Sequence, residues 1–191
     1  MITTLSFYDF DGTLIDSPMP DTGRVEWKNK TGADYPHEGW WGRPDSLNTD
    51  VFDVKPFPAI LNQLKADMTK SDTYVIILTA RIGRLQDAIE NVLRINNIQV
   101  DEVSVKNGGA EKDVRVKNFL TKFPNVDTVN VYDDRDKEMK VFGQLKNDIG
   151  DKYQVNIYRA TEGSFALVES TKKALEIVSE EISIYKRNNI L

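Results

Sequence analysis

The sequence predicts an α/β fold in which helices flank a doubly wound parallel sheet of about five strands. Short apolar runs recur along the chain, and segments with helical spacing separate them. Several runs are apolar at nearly every position, as expected of strands that are covered on both faces. A helix between two strands brings the chain back to the end of the sheet where the first strand began. Successive strands are therefore expected to run parallel.

Five apolar runs bounded by polar or turn residues are predicted to be the strands. They are LSFYDF near residues 5–10, YVIIL at 74–78, EVSV at 102–105, VNVY at 129–132 and QVNIY at 154–158. Helical segments begin near residues 58, 83, 113 and 136. A last helix is predicted from Phe165 to about Arg187, because apolar side chains recur there at helical spacing and would pack on the sheet.

Residues 15–55 are predicted to form a small irregular cap between the first strand and the next helix. This insertion is rich in Gly, Pro, Asp and Asn and has no sustained period. Trp40 and Trp41 are expected mainly to form its small core, and stacking on a nucleic-acid base is the alternative. Residues 1–191 are interpreted as one domain that carries this insertion.

Composition narrows the classes of function. The net charge is −5 with both signs interspersed, so any contact with nucleic acid has to be local. The chain has no cysteine, which excludes disulfides, thiolate nucleophiles and zinc–thiolate sites. The N-terminal residues lack the pattern of a signal peptide, and no apolar run approaches the roughly 20 residues of a membrane span. We therefore expect a cytoplasmic protein without a membrane partner.

Three of the predicted strands end in polar clusters. These are Asp9-Phe10-Asp11-Gly12-Thr13, Thr79-Ala80-Arg81 and Asp133-Asp134-Arg135. In an open parallel sheet the carboxyl ends of the strands converge on one crevice, which is where ligands bind. Crowded carboxylates repel one another unless a cation neutralises them. Oxygen ligands without a neighbouring His or Cys favour Mg²⁺ as that cation.

The ordered motifs resemble the four-motif signature of the haloacid dehalogenase (HAD) superfamily. The signature consists here of DFDGTL, an apolar run ending in Thr79, a helix-borne Lys, and an apolar strand ending in two aspartates. The resemblance spans positions 5 to about 140 and implies a Rossmann-like HAD fold with phosphatase activity. It implies that Asp9 is the nucleophile that forms an aspartyl-phosphate, that Asp11 is the general acid and base, and that Thr79 binds the phosphoryl group.

The same resemblance implies a Mg²⁺ site. Its ligands would be Asp9, Asp11, Asp133 and Asp134, with Asp134 acting through water. This division of roles agrees with general chemistry, because covalent catalysis splits a difficult displacement into two easier steps.

The lysine of the third motif is left open among Lys106, Lys112 and Lys117, with Lys117 preferred. Only a lysine near a helix start could reach the crevice. The run KDVRVKNFLTKF, followed by a strand and DDRDKEMKVF, resembles the 3′-phosphatase domain of phage polynucleotide kinases. That resemblance implies a phosphate-binding role for Lys117, and for Arg81, which lies two positions after Thr79 as in those domains.

A looser similarity covers the insertion. A Pro-containing stretch after the first motif, a Trp-Trp pair, and the endings LTAR and YDDR are similar to the HAD domain of Swiss-army-knife RNA repair proteins. The expected partner is therefore a phosphorylated substrate, with a nucleotide or a polynucleotide 3′-phosphate end as the leading hypothesis, and no protein partner is predicted. A small-molecule nucleotidase or sugar phosphatase and a noncatalytic binding domain are the alternatives.

Overall fold

Strands and helices alternate along the chain in the computed structural model, which describes residues 1–161 and 163–171. The strands are β1 (Thr4–Tyr8), β2 (Ile15–Asp16), β3 (Lys55–Pro56), β4 (Thr73–Ile82), β5 (Glu102–Lys106), β6 (Thr128–Asp133), β7 (Gln154–Thr161) and β8 (Ser164–Ser170). The helices are α1 (Pro20–Thr31), α2 (Pro58–Met68), α3 (Gln86–Ile95), α4 (Lys112–Lys122) and α5 (Asp136–Ile149). Within the described residues, no helix is both long enough and apolar enough to cross a membrane.

The main sheet has six strands in the order β5-β4-β1-β6-β7-β8. The first five are parallel, and β8 runs antiparallel to β7. This confirms the predicted α/β class and all five predicted strands. Strand β1 lies between β4 and β6, and Tyr8 at its end pairs with Ile77 on one side and Tyr132 on the other. The segments that follow these three strands therefore meet at one edge of the sheet.

Helices cover both faces of the sheet, as the apolar strands predict. Along β1, Leu5 and Phe7 belong to the apolar cluster that α4 and α5 complete, whereas Tyr8 belongs to the cluster that α2 and α3 complete. Successive side chains of a strand point to opposite faces, so one strand supplies both clusters. Phe7 is 1% exposed, and burial of such a side chain contributes about 1.5–3 kcal/mol to stability.

The structure corrects the helix predicted from Phe165. Residues Ser164–Ser170 instead form β8, which pairs antiparallel with β7 through a tight connection that includes Gly163 at φ 81°. The physical reason is tertiary packing: the ring of Phe165 packs against Tyr132 and Tyr158, which holds this segment along β7. The rest of the predicted helix, from residue 172, lies outside the described residues.

The insertion is more regular than its composition predicts. It contains α1, the short antiparallel pair β2–β3, and a 3₁₀ turn at Pro44–Leu47. Helix α1 begins at Pro20, whose fixed φ suits a first helical position, and ends before Gly32, whose φ is 75°. The sequence shows no apolar stripe at helical spacing in this segment because α1 buries little apolar surface. Val25, for example, is 61% exposed.

Candidate active site

The three polar clusters meet at the carboxyl edge of the sheet. Asp9 follows β1 directly, and its N–H donates to the Tyr132 carbonyl at 2.9 Å, which extends the ladder between β1 and β6 by one residue. Asp133 is the last residue of β6, and Thr79 and Arg81 lie near the end of β4. Because these strands are neighbours, the chain order of the motifs produces one site.

The carboxylates of Asp9, Asp133 and Asp134 form a compact cluster. One oxygen from each lies within 4.8 Å of the others, and the residues Asp9 and Asp133 are only 3% and 0% exposed. Burial raises the pKa of Asp9 to about 7, with Lys112 opposing the rise and Asp133 and Asp11 adding to it. Burial likewise raises the pKa of Asp133 and of Asp134. The cluster therefore favours a bound cation, since only positive charge lets all three ionise together.

Lys112 supplies a positive charge within this cluster. Its Nζ donates to Asp9 Oδ1 at 2.6 Å and to Asp133 Oδ2 at 2.5 Å, and the residue is 1% exposed. Burial alone lowers the pKa of Lys112, but the two carboxylates outweigh it and hold that pKa above its ordinary value. Lys112 is the first residue of α4, and helical side chains lean toward the helix N-terminus, which directs this one into the crevice.

The structure does not bring the preferred lysine, Lys117, into the site. Its Nζ lies 2.8 Å from Asp148 Oδ2 on α5, and both side chains are substantially exposed. Lys106 pairs with Glu111 at 2.7 Å. The reasoning that a lysine must lie at a helix start holds, but α4 starts at Lys112 and Lys117 lies in its second turn. The correction therefore replaces Lys117 by Lys112.

Asp11 and Arg81 form a bidentate ion pair. Arg81 Nε donates to Asp11 Oδ2 at 2.8 Å, and Arg81 Nη2 donates to Asp11 Oδ1 at 2.8 Å. The remaining Nη1 donates to Ser46 Oγ at 2.8 Å and to the Trp41 carbonyl at 3.3 Å. Arg81, predicted to clamp phosphate, thus holds Asp11 here and ties it to the insertion. Such fork-to-fork pairs are strong and directional.

The turn after β1 places Asp134. Gly12 has a φ of 75°, and a Cβ built on it would lie 2.6 Å from Asp134 Oδ2. The Thr13 hydroxyl donates to Asp134 Oδ1 at 3.3 Å. Glycine is required here both by the left-handed backbone and by the close approach of the carboxylate.

Thr79 is fully buried beside the site. Its hydroxyl accepts the Arg81 backbone N–H at 3.1 Å, and its carbonyl accepts from Arg115 Nη2 at 2.8 Å. Arg115 also donates to the Ser104 carbonyl at 2.8 Å, so it joins α4 to β4 and β5. Burial lowers the pKa of Arg115. Sequence reasoning missed this residue, although its spacing of three from Lys112 places both on one helix face.

A cavity of about 360 Å³ opens onto the cluster. Its lining combines acidic, basic and apolar side chains: Asp9, Asp11, Gly12, Ser17, Met19, Trp41, Ala80, Arg81, Asp134 and Arg135. This volume lies at the lower end of the range of small-molecule sites. The site therefore has room for one small ligand next to Asp9.

The donor set fits Mg²⁺. Asp9, Asp133 and Asp134 offer only carboxylate oxygens, and Mg²⁺ prefers oxygen ligands and is usually bound through one or two carboxylates together with water and phosphate oxygens. Asp11, which the resemblance includes among the metal ligands, is not in this group, and both of its oxygens accept from Arg81 instead.

The fold and the carboxylate site define the class as HAD-family hydrolases. Residues 29–187 match the family described as HAD domain family 1 in Swiss Army Knife RNA repair proteins, and the chain belongs to this family. This confirms the resemblance that the motifs indicate.

Two solved structures share the fold. One is the haloacid dehalogenase-like hydrolase SP0104 of Streptococcus pneumoniae, with a TM-score of 0.51, 14% identity, and coverage of 93% of this chain and 90% of that one. The other is the HAD domain of effector protein Lem4 of Legionella pneumophila, an inactive mutant, with a TM-score of 0.52, 13% identity and full coverage of both chains.

A curated relative also matches in sequence. It is the uncharacterized protein YMR265C of Saccharomyces cerevisiae, 26% identical over 167 residues, which are 74% of this chain. The match covers 36% of the length of the yeast protein. The chain thus spans about a third of that relative.

Proposed function

We propose that this chain is a Mg²⁺-dependent phosphomonoesterase that forms an aspartyl-phosphate on Asp9 and acts on a nucleotide or polynucleotide 3′-phosphate end. The observation that carries the proposal is the cluster of Asp9, Asp133 and Asp134, two of which pair with Lys112. The family match begins at residue 29, after Asp9 and Asp11. The assignment of these two aspartates therefore depends on the geometry and on the motif.

In the first step, a carboxylate oxygen of Asp9 attacks the phosphorus of the substrate. The bond between phosphorus and the ester oxygen breaks, and the leaving oxygen takes a proton from Asp11. Lys112 is 2.6 Å from Asp9, so its ammonium can orient the nucleophile and offset the charge of an approaching phosphate.

In the second step, a water molecule attacks the phosphorus of the aspartyl-phosphate and gives a proton to Asp11. The bond between phosphorus and Asp9 breaks, which releases inorganic phosphate and restores the Asp9 carboxylate. Asp11 can act as acid and then as base because it lies two residues from Asp9 and lines the same cavity.

The acid step requires a change at Asp11. Both of its oxygens accept from Arg81 in the structure, so Asp11 must leave that pair before it can donate a proton. A substrate phosphate competes for the same guanidinium, since Arg binds phosphate and carboxylate with the same fork geometry. This exchange would let Arg81 serve the phosphate, as the sequence suggested, only after substrate has entered.

Mg²⁺ held by Asp9, Asp133 and Asp134 would neutralise negative charge on the phosphoryl oxygens. The proposal of a nucleic-acid end is supported by the name of the family, which refers to RNA repair proteins. It is also supported by the cationic and aromatic groups of Arg135 and Trp41 in the cavity lining.

The test is phosphate release from a panel of substrates with Mg²⁺ and with EDTA. The panel contains 3′-phosphorylated and 5′-phosphorylated oligonucleotides, mononucleotides and sugar phosphates. We expect 3′-phosphate ends to react best and EDTA to abolish release. Asp9→Asn removes the nucleophile and should be inactive, whereas Asp151→Asn is the matched control, because Asp151 is exposed and precedes β7 at the opposite end of the sheet.

Phosphate release from sugar phosphates alone would show that the substrate is a metabolite and not a nucleic acid, which supports the small-molecule alternative. Equal activity of Asp9→Asn and wild type would remove Asp9 from the mechanism. Absence of release from every substrate would contradict the phosphatase proposal and favour a binding domain.

A further inference from the structure

We infer that Trp41 stacks on the base of the phosphorylated nucleotide, which makes it a specificity-determining residue of the site. The inference rests on the proposed function and deepens it, because it names the substrate class as nucleoside 3′-phosphates, free or at a chain end. Base-free phosphates such as sugar phosphates would then be poor substrates.

The two neighbouring tryptophans have different environments. Trp40 is 4% exposed, donates from Nε1 to the Pro18 carbonyl at 2.9 Å, and packs against Tyr35 and Phe52 with ring centroids 4.8 and 5.8 Å away. It forms the core of the insertion, as expected. Trp41 is 40% exposed and lines the cavity. The expectation of a core role therefore holds for Trp40 and not for Trp41.

Trp41 is held in place before any ligand binds. Its carbonyl accepts from Arg81 Nη1 at 3.3 Å, and the Arg81 guanidinium lies over its ring at 5.3 Å from the centroid. Trp40, its chain neighbour, is anchored in the core. Rigid aromatic side chains bind with a small loss of conformational entropy, so this placement favours recognition.

Among the described residues, Trp41 is the only aromatic one in the lining of this cavity, where it lies beside charged side chains. Met19, also in the lining, is 58% exposed and adds a second apolar side chain. Apolar side chains left in water gain free energy when a flat apolar ligand covers them. A phosphate offers no such surface, whereas every nucleic-acid base has a flat π-face that stacks on an aromatic ring.

Charge in the lining is arranged to suit such a ligand. A Mg²⁺ held by the acidic cluster, together with Lys112, would take the phosphate, and Arg135, whose side chain is 44% exposed, lines the same cavity. The cavity of about 360 Å³ has room for one nucleotide and not for several. The terminal nucleotide is therefore the part of the substrate that Trp41 would contact.

The experiment compares three substrates and four proteins. The substrates are a 3′-phosphorylated trinucleotide, the same trinucleotide with an abasic terminal residue, and a nucleoside 3′-monophosphate. The proteins are wild type, Trp41→Ala, Trp41→Phe and the control Val25→Ala, which shortens an exposed side chain of α1 outside the cavity. KM and kcat are measured for each combination of protein and substrate. Binding of the trinucleotides is measured separately in the Asp9→Asn background, with and without Trp41→Ala, by fluorescence anisotropy.

We expect Trp41→Ala to raise KM about 10-fold or more for the two substrates that carry a base, in the range of stacking on an aromatic residue. Changes in kcat, and in KM for the abasic substrate, should stay within about twofold, and Trp41→Phe should keep most of the wild-type affinity. A preference for the trinucleotide over the monophosphate would identify a chain end as the source, and equal use would identify free nucleotides.

Equal losses on the base-bearing and abasic substrates would show that Trp41 only supports Arg81, and would overturn the inference while leaving the phosphatase intact. No loss on any substrate would overturn it as well. If wild type releases no phosphate but the Asp9→Asn protein binds the base-bearing trinucleotide through Trp41, the proposed catalysis fails and the inference stands. If neither release nor binding depends on the base, the inference is wrong.

Discussion

The ammonium of Lys112 lies 2.6 Å from the carboxylate of Asp9, although 103 positions separate the two residues in the chain. The same ammonium lies 2.5 Å from Asp133. One helix start thus supplies a cation to the ends of two adjacent strands. This contact offsets part of the desolvation cost of the Asp9 carboxylate, whose pKa is raised by burial.

Lys112→Met should abolish this arrangement, whereas Lys117→Met should not. The first change leaves Asp9 and Asp133 buried without their partner, and removal of one member of a buried ion pair costs about 3–5 kcal/mol. Phosphate release should also fall about 100-fold or more, because loss of one preorganised donor beside the reacting group typically lowers kcat by that factor. Lys117→Met breaks an exposed pair with Asp148, which is worth roughly 0–1 kcal/mol.

Phosphate-release kinetics and thermal denaturation of both variants check this prediction. A loss of activity in Lys117→Met with full activity in Lys112→Met would reverse the assignment of the third-motif lysine.

The stability of the metal-free protein should depend on Asp9 ionisation. Its pKa rises from an ordinary 3.8 to about 7 in the folded state, so the folded protein binds this proton more tightly than the unfolded chain does. The contribution is fully present below pH 4 and is lost as the pH rises through 7. Between pH 5 and 8 the free energy of unfolding should fall by at least about 1 kcal/mol more in wild type than in Asp9→Asn.

Denaturant titrations at several pH values, with EDTA and with saturating Mg²⁺, measure this difference. Mg²⁺ should reduce it, because a cation compensates the charge of Asp9. Parallel pH profiles of the two proteins in EDTA would show that Asp9 has no raised pKa.

The sequence predicts most of the sheet because its strands are marked by short apolar runs. A run such as YVIIL at 74–78 is apolar on both faces and fits a covered strand. The site follows from the sheet, since parallel strands bring their ends to one edge. Helix α1 has no comparable signal because its side chains are mostly exposed.

The predictions that the structure corrects concern features that depend on a single residue or on tertiary contacts. Lys112 and Lys117 both fit the spacing, and the exact start of α4 decides which one reaches the cluster. Arg81 pairs with Asp11 and Ser46, which lie 70 and 35 positions away in the chain. No local pattern contains that information. The strand β8 was missed because Phe165 and Val168 lie three positions apart, which is a helical spacing, and because β8 is mostly exposed and shows no alternating apolar pattern.

Arg81→Lys should lower kcat about 10- to 100-fold, because an ammonium cannot make the two-pronged contact with the substrate phosphate that is proposed to replace the pair with Asp11. The matched control is Ser46→Ala, which removes one hydrogen bond of Arg81 and leaves the ion pair intact. That control should keep kcat within about fivefold, as expected from a hydrogen bond worth roughly 1 kcal/mol. Steady-state kinetics on a 3′-phosphorylated oligonucleotide measure both variants, and equal losses would mean that the hydrogen bond from Arg81 to the insertion matters more than its two-pronged contact.

Gly12→Ala should weaken Mg²⁺ binding, and Gly32→Ala should not. Both glycines have a φ of 75°, so both substitutions incur the strain of a left-handed residue, about 1–2 kcal/mol. Only the Cβ at position 12 meets a neighbour, Asp134 Oδ2 at 2.6 Å, and it must displace that carboxylate. A Cβ at position 32 meets nothing within 4 Å.

Thermal denaturation of the two variants measures the cost of backbone strain, which both share. Isothermal titration with Mg²⁺ measures the effect of displacing the Asp134 carboxylate. We expect similar losses of stability and a Kd for Mg²⁺ raised about 10-fold in Gly12→Ala alone, which corresponds to about 1.4 kcal/mol from a displaced ligand. An unchanged Kd in Gly12→Ala would remove Asp134 from the metal site, because the carboxylate cannot keep its position beside a Cβ at 2.6 Å.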